Sequence, residues 1–138
     1  MQDSYIHKGL RKQLVKLLQN KGINDPKILE GFFEIPRHFF IEQGFSEWAY
    51  KDVPFKIDAD QTISQPYTVA FMTQLLEVKK GDKILEIGTG SGFQAALLAF
   101  CGAKVYTIER HESLYTKTQT LLSKLGFDQI RMLLGDGF

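Results

Sequence analysis

Cysteine is nearly absent from this sequence. Cys101 stands alone, so no disulfide can form within the chain, and a reducing compartment is the expected setting. It follows an apolar helical run and reads as a small buried hydrophobe rather than a nucleophile. An excess of either charge is also missing. The chain has 17 Lys and Arg against 16 Asp and Glu, interspersed, for a net charge of +1. A surface that binds nucleic acid or membrane by charge alone is therefore not expected. No apolar run is long enough to span a bilayer, and the opening "MQDSYIHKGLRKQL" lacks the apolar core of a signal peptide. The expectation is a soluble, cytoplasmic protein. There is no internal repeat and no low-complexity segment. His7, His38 and His111 show neither metal-ligand spacing nor convergent partners in the sequence, so no metal is assigned and His38 is expected to play a structural part. What is present is 43% hydrophobic residues in 138, enough for one packed core.

Hydrophobic spacing divides the chain into elements. Ile6, Leu10, Leu14, Leu17 and Leu18 recur at helical intervals over 5–19. Asp25 can cap a second helix whose first turn holds Pro26, and this helix ends before Pro36. The aromatic stretch 35–60 predicts irregular structure with short strands. A third helix starts at Pro66, with Ser64 as a possible cap, and carries Val69, Phe71, Met72, Leu75 and Leu76. Beyond it the types alternate: strand 83–87, helix 91–100, strand 104–109, helix 113–125 stopped by Gly126, strand 129–134. Such alternation signals a parallel sheet with right-handed crossovers.

In such sheets, ligands lie beyond the carboxyl ends of the strands. The loop "EIGTGSG" falls there, with Gly88, Gly90 and Gly92 at every second position. A dinucleotide fingerprint needs G-x-G-x-x-G, and Phe93 stands where its third glycine would fall. The Gly-Lys-Ser/Thr of a phosphate loop is absent. Glu86, just before the loop, would repel a pyrophosphate and favour an amino group or a sulfonium. Glu109 ends the second strand roughly 20 residues past Gly88, the offset at which an acid binds ribose hydroxyls. Asp136, between Gly135 and Gly137, closes the third strand and could accept from an adenine amino group. Three acids at three successive strand ends suit a ligand with an amino acid end, a ribose and a base. S-adenosylmethionine has these parts.

Three further stretches carry a resemblance. "IPRHFF", "DQTISQPYTVAFMTQLL" and "LEIGTGSGFQAALLA" stand in the order and spacing of the protein-L-isoaspartate O-methyltransferase family, and "GDGF" resembles that family's Gly-Asp-Gly element. The resemblance covers essentially the whole chain, and "TISQP" is its specific part. It implies a Rossmann-like, S-adenosylmethionine-dependent methyltransferase fold of the α/β class with an N-terminal helical extension. Residues 1–65 are expected to form a helical and irregular substrate-side region, and 66–138 part of the methyltransferase domain. The implied reaction moves a methyl group from S-adenosylmethionine to the free carboxylate of L-isoaspartyl residues in damaged proteins, leaving S-adenosylhomocysteine. Ser64 matches the family's active-site serine, and Thr62 and Ile63 line the same pocket. Glu86 with Gly88, Thr89, Gly90 and Gly92 matches the methionine-end site. Glu109, with Arg110 beside it, matches the ribose site, and Asp136 and Gly137 the adenine contacts. A carboxylate acceptor is already ionised at neutral pH, so Ser64 would orient it rather than act as a nucleophile.

The family continues past the point where this sequence stops, at Phe138. The expectation is a fragment, weak or inactive as an enzyme by itself, with an open sheet edge through which it could self-associate. Three other readings stand beside this one. They are a non-catalytic cofactor-binding half-domain, a methyltransferase for a small-molecule acceptor, and a nicotinamide-dependent dehydrogenase, which the glycine spacing disfavours.

Overall fold

The computed structural model describes residues 2–138. Its centre is a three-stranded parallel sheet in the order β3(Lys83–Ile87)–β4(Lys104–Glu109)–β5(Arg131–Leu134). Leu85 pairs with Tyr106, and Ile108 with Leu133. The chain reaches this sheet through α1(Tyr5–Asn20), α2(Pro26–Glu34), two 3-10 segments (Arg37–Phe40 and Gln43–Tyr50) and a minimal antiparallel pair, β1(Phe55–Lys56) with β2(Thr62–Ile63). Helix α3(Pro66–Leu76) then leads into β3. The crossovers α4(Phe93–Phe100) and α5(Glu112–Lys124) join the strands. This is the α/β arrangement expected from the alternation of types, with the last two strands and both crossovers within a residue or two of their expected ends.

The core lies between the α4 side of the sheet and the N-terminal layer. Leu14, Leu18, Ile28, Phe32 and Phe40 pack with Phe93, Leu97 and Val105 in one cluster. Phe93 is the hinge of this packing, with Phe32 and Phe40 at ring-centroid distances of 5.3 and 5.4 Å. Among the described residues, no helix covers the opposite sheet face. Leu85, Ile87 and Leu133 are each more than half exposed. Helix α3 shows the same imbalance. It buries Val69, Ala70 and Thr73, whereas Phe71, Met72, Leu75 and Leu76 are exposed. Three of these four, Met72, Leu75 and Leu76, face the cavity that also exposes Ile84 and Leu85 of β3, which among the described residues has no strand on its far side. Among the described residues, no helix is long and apolar enough to cross a membrane.

Two sequence-based starts need correction. Helix α4 begins at Phe93 rather than 91, because Gly92 adopts φ +89°, which a right-handed helix cannot include. Ser64 does not cap α3. Its N-cap is Gln65, without a side-chain cap bond, and the free N–H of Tyr67 donates to Asp52 Oδ1 at 2.8 Å. Pro66 takes the first helical position, so Ser64 lies one residue too early to cap.

Candidate functional site

The turn after β3 is tied down on every side. The N–H groups of Gly88 and Thr89 both donate to the Ile108 carbonyl, at 2.7 and 3.1 Å. Gly88, Gly90 and Gly92 all have positive φ, at 89°, 55° and 89°. At Gly92 space also matters: a Cβ there would lie 2.6 Å from the Thr118 methyl group of α5. Gly92 therefore lets α5 approach the loop, and the Thr118 hydroxyl donates to the Gly90 carbonyl at 2.7 Å.

Two acids brace this loop in different ways. Glu109 is buried, with 4% of its surface exposed. Its two oxygens accept from the N–H groups of Gly90 and His111, each at 2.8 Å. Glu109 thus joins the glycine loop to the start of α5, and each oxygen keeps a lone pair for a further donor. Glu86 lies on the neighbouring strand, half-buried. The Thr107 hydroxyl, fully buried, donates to Glu86 Oε1 at 2.7 Å and sits 2.6 Å from Thr89 Oγ1. Burial pushes the Glu86 pKa up to about 7; the Thr107 hydrogen bond opposes the rise and the negative charge of Glu109 adds to it.

The segment carrying Ser64 comes from the other side. Alternation along β2 sends Ile63 into the core, 3% exposed, and leaves Thr62 and Ser64 outward. Thr62, Ile63 and Ser64 line one wall of a cavity of about 560 Å³, and Glu86, Gly88, Thr89 and Gly90 line the facing wall. A second cavity of about 330 Å³ continues from it past Thr62, Gly88 and Gly90 to Glu109, Arg110, His111 and Asp136. The two form one cleft over the carboxyl ends of the three strands, as the parallel-sheet rule requires.

Ten of the twelve residues singled out from the sequence line this cleft. Gly92 and Gly137 do not. Gly92 packs against α5, and Gly137, with φ +84°, packs against Ile87. Sequence reasoning missed Gln61, Ser91, Gln94 and His111 on the cleft wall, and Thr107 and Thr118 behind it. Gln61 and Ser91 adjoin the quoted motifs and could have been found that way. Thr107 and Thr118 sit in an ordinary strand and helix, where no spacing marks them.

His7 and His38 do converge, contrary to the sequence expectation. Their rings stack at 3.8 Å, and Asp3 brings a carboxylate oxygen near both. The atoms are already engaged. Asp3 grips Arg11 through both oxygens, His38 bonds the Tyr50 hydroxyl and the Gln2 carbonyl, and His7 Nδ1 bonds Ser4. The cluster fastens the start of α1 to the first 3-10 segment.

Comparison with known proteins now adds to this geometry. The family model for protein-L-isoaspartate(D-aspartate) O-methyltransferase (PCMT) matches residues 9–138. The protein-L-isoaspartate O-methyltransferase of Christiangramia forsetii is 56% identical over 138 residues, which is all of this chain and 65% of that protein. Its namesake from Flavobacterium psychrophilum gives the same identity and coverage. A solved protein-L-isoaspartate O-methyltransferase superposes with a TM-score of 0.82 at 27% identity, over 92% of this chain and 42% of the other. A Plasmodium falciparum structure of like description, in complex with S-adenosyl-L-homocysteine, shares the fold with a TM-score of 0.75 at 24% identity, over 94% of this chain and 62% of the other. The chain thus spans about two thirds of the length of these curated relatives or less. With nearly every residue inside the family match and the strand-end cleft in place, the chain belongs to the protein-L-isoaspartate(D-aspartate) O-methyltransferase family.

Proposed function

We propose that this chain carries the cofactor cleft and the acceptor segment of an enzyme that methylates the free carboxylate of L-isoaspartyl residues in damaged proteins, in the cytoplasm. In this reading residues 66–138 hold S-adenosylmethionine and residues 1–65 supply the substrate side. The observation that carries it is the position of Ser64. Its segment faces the glycine loop across one cleft, and the helix-capping task that would otherwise explain it belongs to Asp52.

The donor set fits the cofactor. Glu86 offers negative charge for the amino group and sulfonium end. The free lone pairs of Glu109 suit ribose hydroxyls, and Asp136 with its flanking backbone suits an adenine amino group. Arg110 borders the same ribose end. When bound, S-adenosylmethionine supplies an electrophilic methyl group on a positively charged sulfur. The residues of this chain then have an orienting task. The acceptor carboxylate needs no general base, so holding its oxygen in line with the methyl carbon is the main contribution. The Ser64 hydroxyl can donate to one carboxylate oxygen and leave the other free to attack. One C–O bond forms, one C–S bond breaks with its electron pair going to sulfur, and no proton moves.

The test is methyl transfer to an isoaspartyl peptide against its normal aspartyl twin, with S-adenosylhomocysteine binding measured in parallel. The expected result is transfer to the isoaspartyl peptide only. Ser64→Ala should lower kcat/KM by roughly tenfold to a hundredfold while cofactor affinity stays within about twofold. Equal transfer to both peptides, or no S-adenosylhomocysteine binding by the folded chain, would overturn the proposal. Binding without transfer would leave this chain as the cofactor-holding part, weak or inactive by itself.

A further inference from the structure

Arg37 is the most deeply buried charged residue of the described chain, with 1% of its surface exposed. None of the ion pairs among the described residues includes it. A guanidinium stays protonated at any physiological pH, and a buried charge without a counter-ion is costly. Such a cost calls for an explanation beyond packing, since a methionine would fill the space with less penalty.

The contacts of Arg37 suggest one. Its Nε donates to the Ala49 carbonyl at 2.9 Å, and its Nη2 donates to the Ser64 carbonyl at 2.7 Å. The guanidinium carbon sits 4.8 Å from the ring centroid of Phe93, the first residue of α4 after the glycine loop. Nη1 is buried and has no partner among the described residues. One side chain therefore joins the second 3-10 segment, the acceptor segment and the residue that follows the cofactor loop. Its bond to the Ser64 carbonyl fixes that peptide plane, and with it the direction in which the Ser64 hydroxyl leaves the backbone.

We propose that Arg37 is the positioning residue of the acceptor segment, fixing the Ser64 peptide and lending a positive charge that forms no ion pair to a site whose substrate is an anion and whose product is a neutral ester. The fixing of the peptide stands on the geometry alone, while the charge preference rests on the function proposed above. The carboxylate is drawn toward the buried cation, and the ester, once formed, is not. Arg37 acts through Ser64 and the local potential, without touching the reacting atoms.

Amide hydrogen exchange of the ligand-free chain tests the first half. In Arg37→Met, exchange over 61–67 should rise about tenfold or more, with α4 and α5 unchanged. Arg37→Lys, which keeps the charge but lacks the planar fork that spans both carbonyls, should fall between. Unchanged exchange at 61–67, or an equal rise along the whole chain, overturns the tether. Methylation kinetics test the second half. KM for an isoaspartyl peptide should rise about tenfold in Arg37→Met and less in Arg37→Lys, with KM for S-adenosylmethionine within about twofold. An unchanged peptide KM in Arg37→Met overturns the charge preference. Absence of S-adenosylhomocysteine binding by the folded wild-type chain would defeat the functional reading and the charge preference with it, and the exchange data would still decide the tether.

Discussion

Glu86 is half-buried just before the glycine loop, and its raised pKa makes its charge depend on pH near neutrality. With a value of about 7 against an ordinary 4.5, the acid is easier to protonate in the folded chain than in the unfolded one. Its contribution to stability is then fully present below pH 4.5 and is lost as pH rises through about 7, for a total on the order of 3 kcal/mol. Cofactor binding should run the other way. A ligand bringing positive charge to Glu86 needs the ionised form, so affinity for S-adenosylhomocysteine should rise about tenfold from pH 6 to pH 8. Calorimetry at the two pH values checks this. Glu86→Gln should bind weakly and show no such slope, and its thermal midpoint at pH 8 should exceed that of the wild type. Glu86 stands out in the sequence because its charge directly precedes the glycine loop, whereas Ser64 is marked only by the family resemblance of "TISQP", since its residues alone favour a helix cap. Thr107 and Arg37 carry no such mark. A threonine in a strand looks like an ordinary β-former, and a buried arginine cannot be told from an exposed one until the chain closes around it.

At the scale of elements, the glycine loop and α5 behave as one piece. Gly92→Ala would need a left-handed backbone for alanine and would press its Cβ onto the Thr118 methyl at 2.6 Å. The cost should be on the order of 3 kcal/mol, read as a lower urea midpoint. Adding Thr118→Ser removes the methyl and keeps the hydroxyl that donates to Gly90, so it should recover about 1 kcal/mol of this. No recovery would mean that backbone strain alone sets the penalty. Strands β3 and β4 are legible to the residue because each starts at a lysine and its apolar or β-branched run stops short, at Gly88 after β3 and at Glu109 and Arg110 at the end of β4. The start of α4 is less so. "SGFQAALLAF" is a good helical pattern, and only the left-handed backbone at Gly92 delays it. The region 35–65 is the least legible. Its two-residue strands and 3-10 segments are held by tertiary contacts such as Arg37 to Ala49 and Trp48 stacked on Phe55, which no local periodicity announces.

For the molecule as a whole, the uneven covering of the sheet is the dominant physical fact. One face carries α4, α5 and the N-terminal layer; the other presents Leu85, Ile87 and Leu133 to solvent. Apolar area of this kind favours association. Sedimentation of the chain over a range of concentrations should show reversible self-association, and Leu85→Glu, at a position 60% exposed, should weaken it without lowering the thermal midpoint. A monomer at all concentrations would show that the uncovered face is tolerated.

Glu109 braces the Gly90 and His111 amides through hydrogen bonds made within the chain itself. The time course of binding follows from this. Because the receiving loop is already shaped, association should need no slow ordering step. S-adenosylhomocysteine should bind in a single phase whose rate grows linearly with concentration. In Glu109→Ala, where the loop must find its shape during each encounter, that rate should level off.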